Sequence, residues 1–268
     1  MLKRIFGGLA LVCAFALLAP VFAGSNARAQ SRSGDSPLYT YVAQWGIPRA
    51  QWDDAAKARQ AGSSVMDGLL ADGTITGYGS LEMVVHDESG FTHANWWQAT
   101  SYAGILKARE AIVPASTGKD SPYNNAKHMD LLLQSVAHGG KAGSSGKGLL
   151  WVATYELKEG SGEEFTRLFK AVIQPLFEEQ VAAGNVVSYS LDEEVVHSPG
   201  PHYVSIAYVL PDGAALDRFR AAQRANREKN PYFGEAFSAL TVGRVIATFS
   251  RPSCSNRNSL RPVQRSAG

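Results

Sequence analysis

The sequence predicts an α+β fold made of two tandem β-α-β-β-α-β units packed against each other within one polypeptide. Three observations predict it. The stretches "GTITGYGSLEMVVH" (residues 73–86) and "GNVVSYSLDEEVVH" (184–197) agree at offsets 0, 5, 9, 11, 12 and 13 from their opening glycines. The flanks echo as well, since "YVAQW" at 41–45 answers "WVATY" at 151–155 and "SPY" at 121–123 answers "NPY" at 230–232. The displacements are 110, 111 and 109 residues, so one register holds across nearly the whole repeat. Finally, "GGKAGSSGKG" at 139–148 has five glycines and two serines in ten residues, the composition of a flexible linker between the copies.

Taken in order, residues 1–29 read as a secretory signal peptide. Lys3 and Arg4 precede an apolar run from Ile5 to Ala19, closed by Pro20 and followed by the small-residue sites "VFA" and "ARA". The run is shorter than the roughly 20 residues needed to span a bilayer. The expectation is therefore an exported protein, periplasmic or secreted, with no membrane insertion after cleavage. Residues 38–138 form the first unit and residues 149–250 the second.

The second unit is the easier to parse. "LLWVATYEL" at 149–157 suits a strand. Ser161 and Glu164 make a capping box for a helix that buries Phe165, Leu168, Phe169, Val172, Ile173 and Leu176 at spacings of three and four. Pro175 predicts a kink or break in that helix. Strands follow at Val186–His197 and Tyr203–Leu210, then a helix capped by Asp212, a short helix from Tyr232 and a last strand at Val245–Ser250. Each four-stranded sheet would leave one face bare, and the other copy supplies the cover. The linker turns association into an intramolecular event.

Charge and cysteine usage bound the function. The 26 basic and 24 acidic residues become 23 against 24 once Lys3, Arg4 and Arg28 leave with the leader. Four of the remaining arginines sit in the tail, 251–268, which has no acid and the composition of a disordered basic extension. The folded body is thus acidic, and nothing in it suggests a nucleic-acid surface. With Cys13 in the leader and Cys254 in the tail, the body contains no disulfide. Gly146-Lys147 lacks the earlier Gly and the following Ser or Thr of a phosphate-binding loop.

The second unit's "TYELKEGSGEEFTRLFKAVIQPLF", residues 154–177, resembles the dimeric α/β-barrel superfamily, and within it the NIPSNAP-type unit. The similar features are the Tyr-Glu-Leu-Lys strand opening, the Gly turn and the Glu-Phe helix ending in Pro. The resemblance covers about 100 residues of the second copy and, more faintly, the first. It implies two ferredoxin-like units forming a single-chain barrel. Branches of that superfamily include quinone-forming monooxygenases, haem-degrading enzymes and chlorite dismutase-like proteins.

Period-two alternation puts Tyr78, Glu82 and His86 on one strand face and does the same for Tyr189, Glu193 and His197. A four-residue step spans roughly 13 Å, so Glu and His within one strand do not touch. One reading makes these residues the polar marks of a seam between halves. The sharper reading makes His86 or His197 a base or metal ligand, oriented by Glu82 or Glu193. Trp96 and Trp97 point to opposite faces, and with Tyr78, Tyr189 and Tyr203 they are candidates to line an apolar cavity. His138 joins them as a candidate ligand contact because the second copy has Ala247 near its place. His93 and His202, at turns, are expected at the surface.

No HExxH or Cys-His zinc spacing occurs, so no metal site is expected. The sequence names no cofactor, although a single axial His would suffice for haem. The first functional reading is an exported small-molecule-binding protein of the bacterial envelope with an apolar or aromatic ligand. The alternatives are a cofactor-independent or haem-assisted monooxygenase-like enzyme and a structural or partner-binding protein, with homo-oligomers admitted in each case.

Overall fold

In the computed structural model, residues 37–86, 89–116, 118–140, 148–196 and 203–252 are described. The leader, most of the Gly/Ser linker, the tail beyond Pro252, His197 and His202 lie outside them. Eight strands carry the fold: β1 (Leu38–Gly46), β2 (Gly77–Met83), β3 (His93–Ala99), β4 (Lys127–Gly140), β5 (Leu149–Leu157), β6 (Ser188–Val196), β7 (Tyr203–Leu210) and β8 (Thr241–Pro252). They close into a barrel in the order β1-β3-β2-β8-β5-β7-β6-β4, with every pairing antiparallel. The helices are α1 (Trp52–Ala71), α2 (Tyr102–Ser116), α3 (Gly162–Leu168), α4 (Gln174–Ala182), α5 (Gly213–Lys229) and α6 (Phe233–Leu240).

The N-terminal half contributes the run β4-β1-β3-β2 and the C-terminal half the run β8-β5-β7-β6. As the sequence reading expected, the inner faces of the two sheets cover each other across the barrel lumen, where Leu150 of the C-terminal half packs with Leu81, Met83 and Trp96 of the N-terminal half. The halves also join edge to edge, at β4·β6 and β2·β8, and closure leaves no sheet edge unpaired. The seams are unequal. Eight residue pairs match across β4·β6, where a bulge falls between Ser135 and Ala137, but only three match across β2·β8.

Alternation along the strands sorts side chains into a lumen and an outer layer. Two outer cores pack the helices onto the sheet. In the N-terminal half, Met66 and Leu69 of α1 and Ile105 of α2 meet Tyr78, Trp97 and Ala99. In the C-terminal half, Phe165, Phe169, Phe177 and Phe219 meet Tyr189, Val204, Tyr208 and Leu210. Each fully buried aromatic or aliphatic side chain there contributes about 1.5–3 kcal/mol. Inside the barrel, Leu81, Met83 and Ala94 cluster with Val42, Trp96 and Leu150.

Strands β5 and β7 keep their expected bounds, and Asp212 caps α5 by accepting from the Ala215 amide at 2.8 Å. Ser161 sits at the start of α3 but its side chain makes no capping bond, so the capping box does not form. Its backbone is already helical (φ −88°, ψ −2°), whereas a capping residue needs an extended one. The Pro175 break appears as a wide π turn over Phe169–Ile173, just before the proline enters the first turn of α4. A wider turn separates the proline ring from the preceding carbonyls that a regular α-helix would bring into contact.

Candidate functional site

The proposed strand-face residues are not assembled into one site. Strand β2 stops at Met83, so His86 lies beyond it, exposed, and the period-two argument does not extend that far. Tyr78 and Glu82 do share the outer face of β2. Tyr78, however, is sunk in the core with its hydroxyl donating to Asp67 Oδ1 at 2.6 Å. Glu82 is engaged by Arg251 Nη2 at 2.9 Å, a link that ties β2 to β8. In the C-terminal half, Tyr189 is stacked on Phe177 with ring centroids 4.9 Å apart, and Glu193 accepts from Thr166 Oγ1 at 3.4 Å. Trp97 packs under α2 and donates to the Ile105 carbonyl, while Trp96 faces the lumen. These four aromatic candidates therefore occupy three separate places rather than one cavity.

His138 also faces the lumen, opposite Ser190, with its Nε2 buried and unbonded among the described residues. Next to it, Asp192 accepts from Ser135 Oγ at 2.5 Å and from Ser190 Oγ at 2.6 Å. Burial pushes the Asp192 carboxyl up, against the pull of the two serines and His138.

A different set of polar groups converges between α1 and the outer face of β3. His93, expected at the surface, is only 2% exposed. Its Nδ1 lies 2.9 Å from Thr92 Oγ1, and its ring meets the edge of Trp52 at 5.1 Å. Trp52, the first residue of α1, is held by a bond from Nε1 to the Ile47 carbonyl and carries the Arg49 guanidinium over its ring at 4.7 Å. His86 approaches the same indole at 6.2 Å, and so marks the solvent side of the group. One helical turn further along α1 than Ala55, Arg59 reaches the Tyr123 hydroxyl, as does Asn95 of β3. Tyr123 donates to the Ala55 carbonyl at 3.3 Å and packs against Trp45 at 4.8 Å.

The electrostatics of this cluster follow from burial beside a cation. Burial and then the Arg59 charge push the His93 imidazole down to about 4, outweighing the opposing pull of Glu82. His93 is therefore neutral at pH 7. Burial raises the Tyr123 phenol while Arg59 lowers it. Among the described residues, Arg59 itself has Nε and Nη1 buried without an acceptor.

The repeat offset is the signal that would have exposed these residues. At the displacement of 110 that relates β1 to β5, Arg59 answers Phe169. Tyr78 pairs across the sheet with Trp97 as Tyr189 does with Tyr208, which makes His93 answer Val204 and Asn95 answer Ile206. Three polar groups thus stand where the other half is apolar.

No protein-family model matches this chain, and no curated protein matches it. Solved structures do. A candidate monooxygenase from Lactobacillus acidophilus NCFM superposes with a TM-score of 0.61 at 10% identity, over 85% of this chain and 99% of that one. A candidate monooxygenase from Fusobacterium nucleatum gives 0.55 at 10% identity, over 81% of this chain and 92% of that one. A candidate chlorite dismutase, TA0507, gives 0.51 at 9% identity, over 82% and 96%. At such identity the likeness defines the fold, which is that of the dimeric α/β barrels.

The residues present do not fit a haem in either outer layer. The His93 ring is packed edge-on against Trp52, and the corresponding space of the other half is filled by Phe165, Phe169 and Phe177. The recess bounded by Phe165, Phe169, Ile173, Phe233 and Phe237 admits no water-sized sphere.

Proposed function

We propose that the chain is an exported tandem of two ferredoxin-like units of NIPSNAP type, and that its N-terminal half binds a small molecule with an aromatic or apolar body. The binding site is the cluster of Trp52, Arg59, His93, Asn95 and Tyr123, entered past His86. The observation that carries this reading is the contrast between the halves. Packing alone accounts for the phenylalanine core of the C-terminal half, but it does not call for an arginine, a histidine and an asparagine at the matching places. The test is a titration of the purified protein with small aromatic compounds, following tryptophan emission. Quenching that disappears in Trp52→Phe and weakens in His93→Gln supports the reading. Identical responses in all three proteins would remove it.

A second reading is favoured by the neutral state of His93. A neutral imidazole accepts a hydrogen bond from an acidic hydroxyl of the ligand, and in this reading His93 orients that hydroxyl while the nearby Arg59 cation favours its ionisation. The electron-rich hydroquinone anion is then oxidised to the quinone without a cofactor, dioxygen taking up the two electrons and two protons as hydrogen peroxide. The two solved structures described as candidate monooxygenases share the architecture this requires. Dioxygen uptake on addition of a hydroquinone, lost in His93→Gln, would favour turnover over simple binding. Absence of uptake across a set of hydroquinones would leave the binding reading alone.

A further inference from the structure

We infer that the ligand of the N-terminal cluster is an anion, a planar organic acid whose negative group meets Arg59 while its ring lies against Trp52 and Tyr123. This deepens the binding reading above and rests on it.

The argument starts from the unmatched charge of Arg59. Two of its three guanidinium nitrogens are buried with no acceptor, and no carboxylate lies within ion-pair distance of it among the described residues. Leaving a guanidinium desolvated and unpaired is among the costlier things a fold can do, and such groups are normally found against an acid. The neighbouring side chains do not supply one. Tyr123 directs its proton to the Ala55 carbonyl, Asn95 is neutral, and His93 is neutral at pH 7. The nearby acid Glu82 is occupied by Arg251. The cluster as built is therefore a set of N–H donors around the Arg59 charge, with the Arg49 guanidinium over the ring of Trp52, and it is walled by the aromatic rings of Trp52, Trp45 and Tyr123. A carboxylate or phenolate on a flat ring satisfies both features together. A neutral aromatic ligand satisfies only the walls.

The experiment compares benzoate with benzamide, which has nearly the same shape without the charge, by calorimetry and tryptophan emission on the full chain. Benzoate is expected to bind at least tenfold tighter than benzamide at low salt. Added sodium chloride should erode that preference, and Arg59→Met should reduce it to less than twofold. Without ligand, Arg59→Met should melt no lower than the wild type, because it removes an unpaired charge; a merely structural arginine would give a lower melt. Should Arg59→Met fail to fold, the structural role is established and the inference is overturned. Arg59→Lys, tested beside a folded Arg59→Met, is expected to keep part of the benzoate preference, and a preference no greater than that of Arg59→Met overturns the inference.

Equal binding of benzoate and benzamide overturns the anion inference and leaves the binding reading standing. Binding of neither sinks both. Asp87 and Glu88, which follow His86 in the sequence, lie outside the described residues, and the Asp87→Asn/Glu88→Gln variant controls for an acid supplied by the chain itself. If it lowers the melt, and Arg59→Met lowers it no further on top, the counter-ion is internal and the inference falls.

Discussion

The two outer layers of this barrel solve the same packing problem with different chemistry. In the C-terminal half, Phe177 stacks on Tyr189 and touches Phe169, Tyr208 and Phe219, with centroids 4.9–6.2 Å apart. In the N-terminal half, the corresponding helix presents Arg59 to Tyr123, Asn95 and His93. The contrast extends to the residues that close each layer. Tyr123 of "SPY" is tucked against Trp45 and the Ala55 carbonyl, whereas Tyr232 of "NPY" is 78% exposed and α6 covers the sheet with Phe233 and Phe237 in its place. Like backbones with unlike fillings separate what the fold requires from what it has been adapted to do. An aromatic core stabilises the barrel. A buried cation beside a neutral imidazole adds nothing to stability by itself, and the proposed binding reading rests on that contrast.

The largest expected effect tests that division directly. Phe177→Ala removes a ring that is 1% exposed and in contact with four others, and should cost about 3–5 kcal/mol in chemical denaturation. Arg59→Met, in the other half, should change stability by less than about 1 kcal/mol, or raise it. Comparable losses in the two variants would mean that Arg59 is as structural as Phe177, and the contrast between the layers would lose its meaning.

How much of this was legible in the sequence follows from the same contrast. The repeated Gly-Tyr-Glu-Val-Val-His pattern located β2 and β6, and Tyr78 and Tyr189 do occupy matching outer positions, each opposite an aromatic residue of the next strand. Hydrophobic runs fixed β5 and β7 to the residue, because a strand packed on one side must alternate. The marks shared by the two copies take part in the packing of the first half, since Tyr78 bonds to Asp67 and Glu82 to Arg251. The candidate site lies instead where the repeats disagree. Arg59 sits on an amphipathic helix, where a lone arginine reads as solvated. His93 follows a turn, which reads as exposed. Only the closure of α1 over β3 buries both, and no local pattern encodes that closure.

A smaller effect, confined to acid, sharpens the account of His93. Burial and Arg59 hold its pKa at about 4, below its ordinary value of 6.5. The unfolded chain therefore takes up a proton between these values that the native state refuses. The stability associated with neutral His93 is complete above pH 6.5 and is lost as the pH falls through about 4. Arg59, Glu82 and His86 are the charged groups that act on it. Melting temperature should fall across this window in the wild type and be flatter in His93→Gln. An equally steep fall in the variant would assign the acid sensitivity elsewhere.

The matched tyrosines give a paired comparison of lower amplitude. Tyr78 donates to Asp67 at 2.6 Å, a short bond to a carboxylate, whereas Tyr189 approaches Glu178 at 3.4 Å, near the limit of a hydrogen bond. Tyr78→Phe should cost about 1–2 kcal/mol and Tyr189→Phe less than about 0.5 kcal/mol, both read from urea denaturation. The reverse order would indicate that the stacked tyrosine, rather than the hydrogen-bonded one, anchors its helix.

The smallest effect concerns the β4·β6 seam, which the lumen side fastens with the Ser135–Asp192–Ser190 cluster. Burial raises the Asp192 pKa, so the native state holds that proton more firmly than the unfolded chain does. Its contribution is therefore full below the ordinary carboxylate value of 3.8 and is lost as the pH rises through the folded value. Asp192→Asn keeps the shape and cannot ionise. Relative to the wild type it should be level at pH 4 and gain stability towards pH 8, by about 1 kcal/mol or less, because the two serine hydroxyls already offset part of the cost of the charge. The neutral Thr40–Gln98 bond, also in the lumen, has no proton to lose, and Gln98→Leu should shift the melt by the same amount at both pH values. If Asp192→Asn loses stability as the pH rises, the carboxylate is welcome in the lumen as an anion. The pull of Ser135, Ser190 and His138 on Asp192 would then outweigh its burial.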